Sequence, residues 1–424
     1  AEVNLALALD LMDQMLQRFD SSWMSLPVTM EGGVPFPSDL AYPMEVSGHS
    51  VKVQNDALKF YEQFARQNPT SPQLKRETAR VHCRVADIYK RLGQYNKAIG
   101  AYQVCLELLA ELADGTDALN LDRAQTFNQL GKALHATSRF VDAEQRFRNA
   151  LQILSGSKAK EDTAFRVEVA NASANLGQAL WMLGRSSEAQ QSHQRAINVL
   201  QKVVEELPGN TEFRLALAQA YRNMATFASF SRRRHDQSFS ASRTAGISLL
   251  EDLIREFPNV PDYQCELSEV LSTRRFRQLS LDHSNGLADL ERSVDLARNL
   301  SARFPSIPRY RMALARALKV RSDVSAFTDE QAATEFANQS MAIYRSLSSE
   351  SPSIPAYHIV LAMALQDRAR VLSRTGHDDR AVATLQEGIE EQKLYNSLRP
   401  DNPLGRSNLD RMQRDLKRLE REGR

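Results

Sequence analysis

Glycine is scarce in this sequence and cysteine nearly absent: 17 and three residues in a chain of 424. Cys83, Cys105 and Cys265 are too few for a disulfide framework, and no C-x-x-C pair marks a zinc or redox site. A chain of this size needs no covalent staples, so cysteine usage leaves the compartment open, cytoplasmic or extracytoplasmic. No apolar run approaches the ~18 residues of a membrane helix, and the opening residues do not read as a secretory signal. Ala1 stands where a Met would begin a chain, so a processed or excised piece of a longer protein is expected. Net charge is missing too. The 54 basic and 52 acidic residues leave +2, which argues against a nucleic-acid protein relying on phosphate attraction. What remains is rich in alanine, leucine, glutamine, arginine and glutamate, the strong helix formers.

These residues are arranged periodically. "FPNVPDYQCEL", "FPSIPRYRMAL" and "SPSIPAYHIVL" place Pro258, Pro305 and Pro352 47 residues apart. The first proline of each stretch stops a helix, and the second fits the first turn of the next, where a missing N–H costs nothing. A small residue recurs between these marks: Cys105, Ala150, Ala196, Gly246, Ser293, Ser340 and Gly388, with spacings of 45, 46, 50, 47, 47 and 48. Small side chains at a fixed interval indicate a close helix crossing in each unit. Around them run paired amphipathic patterns. Val85, Ala86 and Tyr89, then Gly93, then Ala98, Tyr102 and Cys105 form the first pair. Leu130, Gly131 and Leu134 with Ala143, Phe147 and Ala150 form the second. Leu176, Gly177 and Leu180 with Ala189 and Ala196 form the third, and Leu372, Gly376, Ala381, Leu385 and Gly388 the seventh.

The pattern resembles the tetratricopeptide repeat, a helix–turn–helix unit with Leu-Gly in helix A and Ala, aromatic, Ala in helix B. The resemblance implies an all-α fold, a TPR-like solenoid wound as a right-handed superhelix. The unit here is about 47 residues against the usual ~34, and segments such as "INVLQKVVEELP" predict an extended helix B. Residues 70–403 hold seven such units, the fourth to sixth degenerate. Residues 1–69 read as an incomplete leading repeat with a Pro/Gly-rich loop at 21–50. Residues 404–424 read as a capping helix with Leu409, Met412, Leu416 and Leu419 on one face. The opening helix, "ALKFYEQFA" and the double-proline linkers also resemble the repeat tail of planctomycete-type bacterial serine/threonine protein kinases. That likeness implies a regulatory or extracytoplasmic tail, since no Gly-rich phosphate loop, H-R-D or D-F-G is in the sequence.

No residue pattern selects a catalytic centre, a cofactor site or a metal site. His377, Asp378 and Asp379 have one histidine without a ligand partner at i+4, and fit a helix–helix turn with N-capping aspartates. His82 and Cys83 are sequence neighbours about 100° apart on a helix, and Cys105 reads as an inert core residue. "SRRRH", Arg232 to His235, lacks interleaved aromatics and reads as a solvated turn. Arg274, Arg321 and Arg368, 47 apart, fall where earlier units carry Val85, Leu130 and Leu176. They form either a basic ladder for an acidic or phosphorylated partner, or stems that pack while the heads reach carboxylates such as Asp323.

In tetratricopeptide repeats helix A lines the concave side. Its exposed positions here are expected to be Arg80, Arg84, Asp87, Gln125, Asn128, Lys132, His135, Asn171, Asn175, Gln178 and Trp181. Trp181 is either a binding anchor or partly buried. A Lys/Asn clamp for C-terminal carboxylates is not reproduced, since Cys83 and Asp87 stand at its places. The expectation is a non-catalytic scaffold or sensor that binds a protein, a peptide or a second copy of itself, without nucleic acid, membrane insertion or cofactor. A kinase tail is the alternative. A small-molecule receptor or an enzyme on the solenoid is a minor third.

Overall fold

In a computed structural model the described residues are 59, 72–91, 94–112, 116–229, 238–273, 283–326, 328–352, 354–400 and 402–422. Apart from Lys59, the leading repeat with its 21–50 loop lies outside them, as do the basic cluster Arg232 to His235, Gly93 and Arg274.

Fifteen helices and no strand are present among the described residues. Seven are A helices: α1 Pro72–Arg91, α3 Asp117–Ala136, α5 Thr163–Met182, α7 Thr211–Ser229, α9 Pro261–Ser272, α11 Pro308–Ser325 and α13 Pro355–Arg374. Each is followed by its B helix: α2 Tyr95–Ala110, α4 Phe140–Gly156, α6 Ser186–Glu206, α8 Ser238–Glu256, α10 His283–Arg303, α12 Glu330–Glu350 and α14 Asp378–Leu398. Helix α15, Pro403–Glu422, closes the stack by burying Met412 and Leu419 against α13 and α14.

The double-proline corners work as the sequence suggests. Helix α10 ends at Arg303, Phe304 donates its N–H to Leu300, and Pro308 opens α11. Pro261 and Pro355 open α9 and α13 in the same way. Tyr263, Tyr310 and Tyr357 follow two residues later and are all buried. The extra length of the unit is not confined to helix B. Helices α6, α10, α12 and α14 have 21 residues, but α2 and α4 only 16 and 17, against 20 in α1 and α3.

The small crossing residues sit where two helices touch backbone to side chain. Ser293 and Ser268 exchange hydrogen bonds through hydroxyls and carbonyls, and Ser340 donates to the Ala315 carbonyl at 2.7 Å. In the second and third units the tightest approach falls at the Leu-Gly glycine. A Cβ on Gly131 would lie 2.5 Å from the Phe147 ring, and one on Gly177 would lie 2.9 Å from the His193 ring. Phe147 and His193 therefore fill equivalent places, each three residues before the small crossing residue. An imidazole there must stay neutral: burial lowers the His193 pKa to about 4, and its Nδ1 has no hydrogen-bond partner among the described residues. The unfolded chain binds that proton near pH 6.5, so stability present above this pH is lost as pH falls toward 4. Between pH 7.5 and 5 the loss is about 2 kcal/mol. Denaturant melts of wild type and His193→Phe at the two pH values check this. The variant should lose that part of the acid sensitivity.

Each helix packs on its sequence neighbours, and α3, α5, α7, α9 and α11 additionally touch one another in succession. No pair of B helices makes comparable contact among the described residues, so the A helices line the inner side of the solenoid. Polar bonds one repeat long run along that side. Arg76 reaches Asp122 at 2.8 Å, Asn175 reaches Asn128 at 2.8 Å, and Gln219 reaches Glu266 at 3.1 Å. The outer B helices are joined by exposed pairs such as Arg185–Glu144, Arg292–Glu251 and Arg345–Glu387, which contribute little individually.

Candidate functional site

The inner face divides into two parts that behave differently. Along α7, α9 and α11 it is closed by its own charges. Arg222 lies 2.5 Å from Glu269 and 3.2 Å from Glu266, and Arg309 lies 2.7 Å from Glu266 and 2.8 Å from Asp262. Arg316 reaches the other oxygen of Glu269 at 2.7 Å. The side chains of Arg222 and Glu266 are 3% and 1% exposed. Three arginines thus neutralise three carboxylates inside the degenerate units. Cys265 lies in the same interior. Burial, against the opposing pull of Arg309, pushes its thiol up to about 12, which makes it inert.

Along α1, α3 and α5 the inner face opens into a pocket of about 350 Å³. Arg80, Arg84 and Asp87 project from α1, Asp122, Gln125 and Gln129 from α3, and Glu168 from α5. Asp87 is held rather than loose. Tyr102 donates its hydroxyl to Asp87 Oδ1, and Lys90 bridges Asp87 at 3.0 Å to Gln129 at 2.6 Å. Arg80 lies 3.6 Å from Asp122. Gln125 and Asn171 are exposed, while Arg84, Lys132, Asn175 and Gln178 are half-buried.

Two of the expected surface positions are buried. Asn128 and His135 are only 3% and 2% exposed. Asn128 donates to Glu168 Oε1 at 2.7 Å and accepts from Asn175 at 2.8 Å, because its place on α3 points at α5. His135 packs edge-on against Phe140, with ring centroids 5.0 Å apart. Burial raises the Glu168 pKa against the hydrogen bonds of Asn128 and Asn171 and the charge of Lys132. The asparagines and the lysine expected to face a ligand therefore converge first on this carboxylate. Trp181 is half-buried edge-to-face on Phe227, at 5.9 Å and 84°, so it joins α5 to α7. Asp122 and Glu168 were not expected as site residues. They hold the same place in successive A helices, an acid repeated 46 residues apart, and that signal was available in the sequence.

The cysteines form a further correction. Cys83 and Cys105 are joined as a disulfide at the pocket wall, with Cα atoms 5.8 Å apart, linking α1 to α2. Cys105 is thus not an inert core thiol. A bridge occupies the crossing because a cysteine on each helix stands at the point of closest approach. Arg321 bonds internally, to Ser325 at 2.6 Å and Glu291 at 3.5 Å, with its guanidinium over the Phe336 ring. Asp323 takes Lys319 instead. At the last turn His377 is the N-cap residue, without a side-chain bond, and Asp378 and Asp379 occupy the first turn of α14 rather than the cap. Among the described residues no three His, Cys, Asp or Glu side chains converge to hold a metal, and no helix is long and apolar enough to cross a membrane.

A stack of paired helices with an inner A-helix face defines a tetratricopeptide-like solenoid. Models of the tetratricopeptide repeat match residues 122–202 and 79–108, the first three helix pairs. No curated protein matches the sequence. Among solved structures the chain is similar to yeast Tom70, at 13% identity over 98% of this chain and 75% of that one, with a TM-score of 0.44. It is similar to BtubC from P. vanneervenii at 14% identity, over 61% of this chain and 92% of that one, TM-score 0.44. A Rap protein complexed with Competence and Sporulation Factor aligns at 11% identity over 88% and 99%, TM-score 0.40.

Proposed function

We propose that this chain is a non-catalytic interaction scaffold that seats a peptide or protein segment along the inner face of α1, α3 and α5. One observation carries the reading: side chains of both charge signs from three successive A helices line one open pocket, whereas the same face farther along is sealed by its own ion pairs. A cleft of mixed charge, part hydrogen-bonded and part open, favours a polar segment that exchanges some of those bonds for its own. The test is selection of binders from a peptide display library, followed by titration of the strongest into wild type and into the double variant Arg80→Glu, Arg84→Glu. Affinity should fall at least tenfold, or about 1.4 kcal/mol, with the far-ultraviolet spectrum unchanged. Selected peptides that bind the variant equally well would remove this face from the reading.

A second reading, a regulatory tail outside the cytoplasm attached to a serine/threonine kinase, is favoured by the disulfide. Bridges persist in oxidising compartments and are rare in the cytosol. Together with the double-proline linkers it supports placing this chain on the far side of a membrane from a catalytic domain. Alkylation of free thiols in intact cells, read by mass spectrometry, tests the placement: Cys83 and Cys105 should be protected until reduction.

A further inference from the structure

A second cavity, of about 270 Å³, lies between α11, α12 and α13. Its cause is legible in the repeat. The residue three before each small crossing residue is Tyr102, Phe147, His193, Arg243, Leu290, Ala337 and Leu385 in the seven units. Tyr102, Phe147, His193, Leu290 and Leu385 are all buried and plug the gap between helices. Ala337 does not fill it, and the space stays open, walled by Ala326, Ala333, Met341, Ala364 and Val371.

A second change accompanies the first. Leu130 and Leu176, both buried, have Arg368 as their counterpart on α13. Arg368 lines the cavity, and its Nη1 donates to Thr334 at 3.2 Å. No carboxylate lies within ion-pair distance of it among the described residues. Burial and the charge of Arg380 lower its pKa, opposed by Glu330. Arg374, also at the cavity, has no ion-pair or hydrogen-bond partner among the described residues. Lys319 is already held by Asp323 at 3.2 Å and Asp367 at 3.3 Å. The cavity thus combines an apolar wall with a guanidinium whose Nε and Nη2 edge remains to pair with a planar anion. A leucine traded for an arginine beside a missing plug leaves a cost of burial that an anionic ligand would offset.

We propose that this cavity binds an apolar group bearing a single carboxylate, with the carboxylate on Arg368 and the apolar body in the space left by Ala337. A dry cavity of about 150 Å³ takes benzene, so the larger volume here holds a ring with a short acid arm. A monoanion is preferred to a phosphate, because Glu330 and Asp367 already add negative charge to the cavity wall. The carboxylate can come from a free small acid or from the C-terminal residue of a peptide.

The test uses 3-phenylpropionate, its neutral amide, and a short peptide ending in phenylalanine with a free or an amidated terminus, titrated calorimetrically into the full chain. Saturable binding of a free acid, at least tenfold weaker for its amide partner, is expected. Arg368→Leu should abolish the preference of acid over amide. Ala337→Leu, which installs the residue found at Leu385, should abolish binding of both while the melting temperature is held or raised. Tighter binding of the peptide than of 3-phenylpropionate assigns a chain terminus, and the reverse assigns a free acid. No saturable binding by any probe overturns the proposal. So does binding that persists undiminished in Ala337→Leu, or an acid preference that survives Arg368→Leu.

Discussion

Replacing Glu269 by leucine should destabilise the central repeats by about 3–5 kcal/mol, the usual cost of removing one partner of a buried ion pair. Glu269 serves two arginines, at 2.5 Å from Arg222 and 2.7 Å from Arg316, and its own side chain is 8% exposed. Without it the cluster holds three guanidinium groups against two carboxylates, and the buried Arg222 loses its 2.5 Å partner. The effect should be local, because units in a solenoid depend on their nearest neighbours. Hydrogen exchange should therefore accelerate in α7, α9 and α11 before it does in α3 and α5. Adding Arg222→Met to the same chain should recover most of the loss, since matched removal of a buried pair is often neutral. A urea melt of the three proteins checks both steps. A single variant costing under about 1 kcal/mol would mean that the cluster is solvated after all.

Reduction should cost the first unit about 3 kcal/mol, the loop-entropy value for a bridge across a short loop. Cys83 and Cys105 are 22 residues apart and join the two helices of one hairpin. Around the bridge the hairpin is held by buried Ala79 and Leu109, and nearer its turn by the bonds of Lys90, Asp87 and Tyr102. Melts with and without reductant should therefore differ in an early transition, assigned to α1 and α2 by exchange, and the Cys83→Ser, Cys105→Ser protein should behave as the reduced form under both conditions. Because the bridge borders the candidate pocket, reduction should also weaken peptide binding there.

Much of the architecture was legible because repeats overdetermine it. The seven small residues, the Leu-Gly pairs and the double prolines fix helix pairs, their order and their corners by independent physical rules. What stayed hidden was lateral. Arg222, Glu269 and Arg316 are 47 residues apart with alternating sign, so a scan for opposite charges at the repeat interval would have found the buried cluster. Arg274, Arg321 and Arg368 share the same interval and stand out more readily in the sequence, but like charges at one interval cannot form such a cluster. Asn128 and His135 were assigned to the surface because polar residues on helix A point inward to the groove. For Asn128 the same direction points at the next A helix, α5, whereas His135 is covered by Phe140 at the start of its own B helix. Cys83 and Cys105 lie on different helices of one unit, so only the crossing geometry brings them together.

On the proposed function the open part of the inner face, and not the outer B-helix surface, receives the partner. Deuterium uptake measured on the chain alone and saturated with a display-selected peptide tests it most directly. Added protection should fall on α1, α3 and α5, centred on Arg84, Gln125 and Glu168, with α4 and α6 unchanged. Protection confined to the B helices or to α15 would contradict the claim.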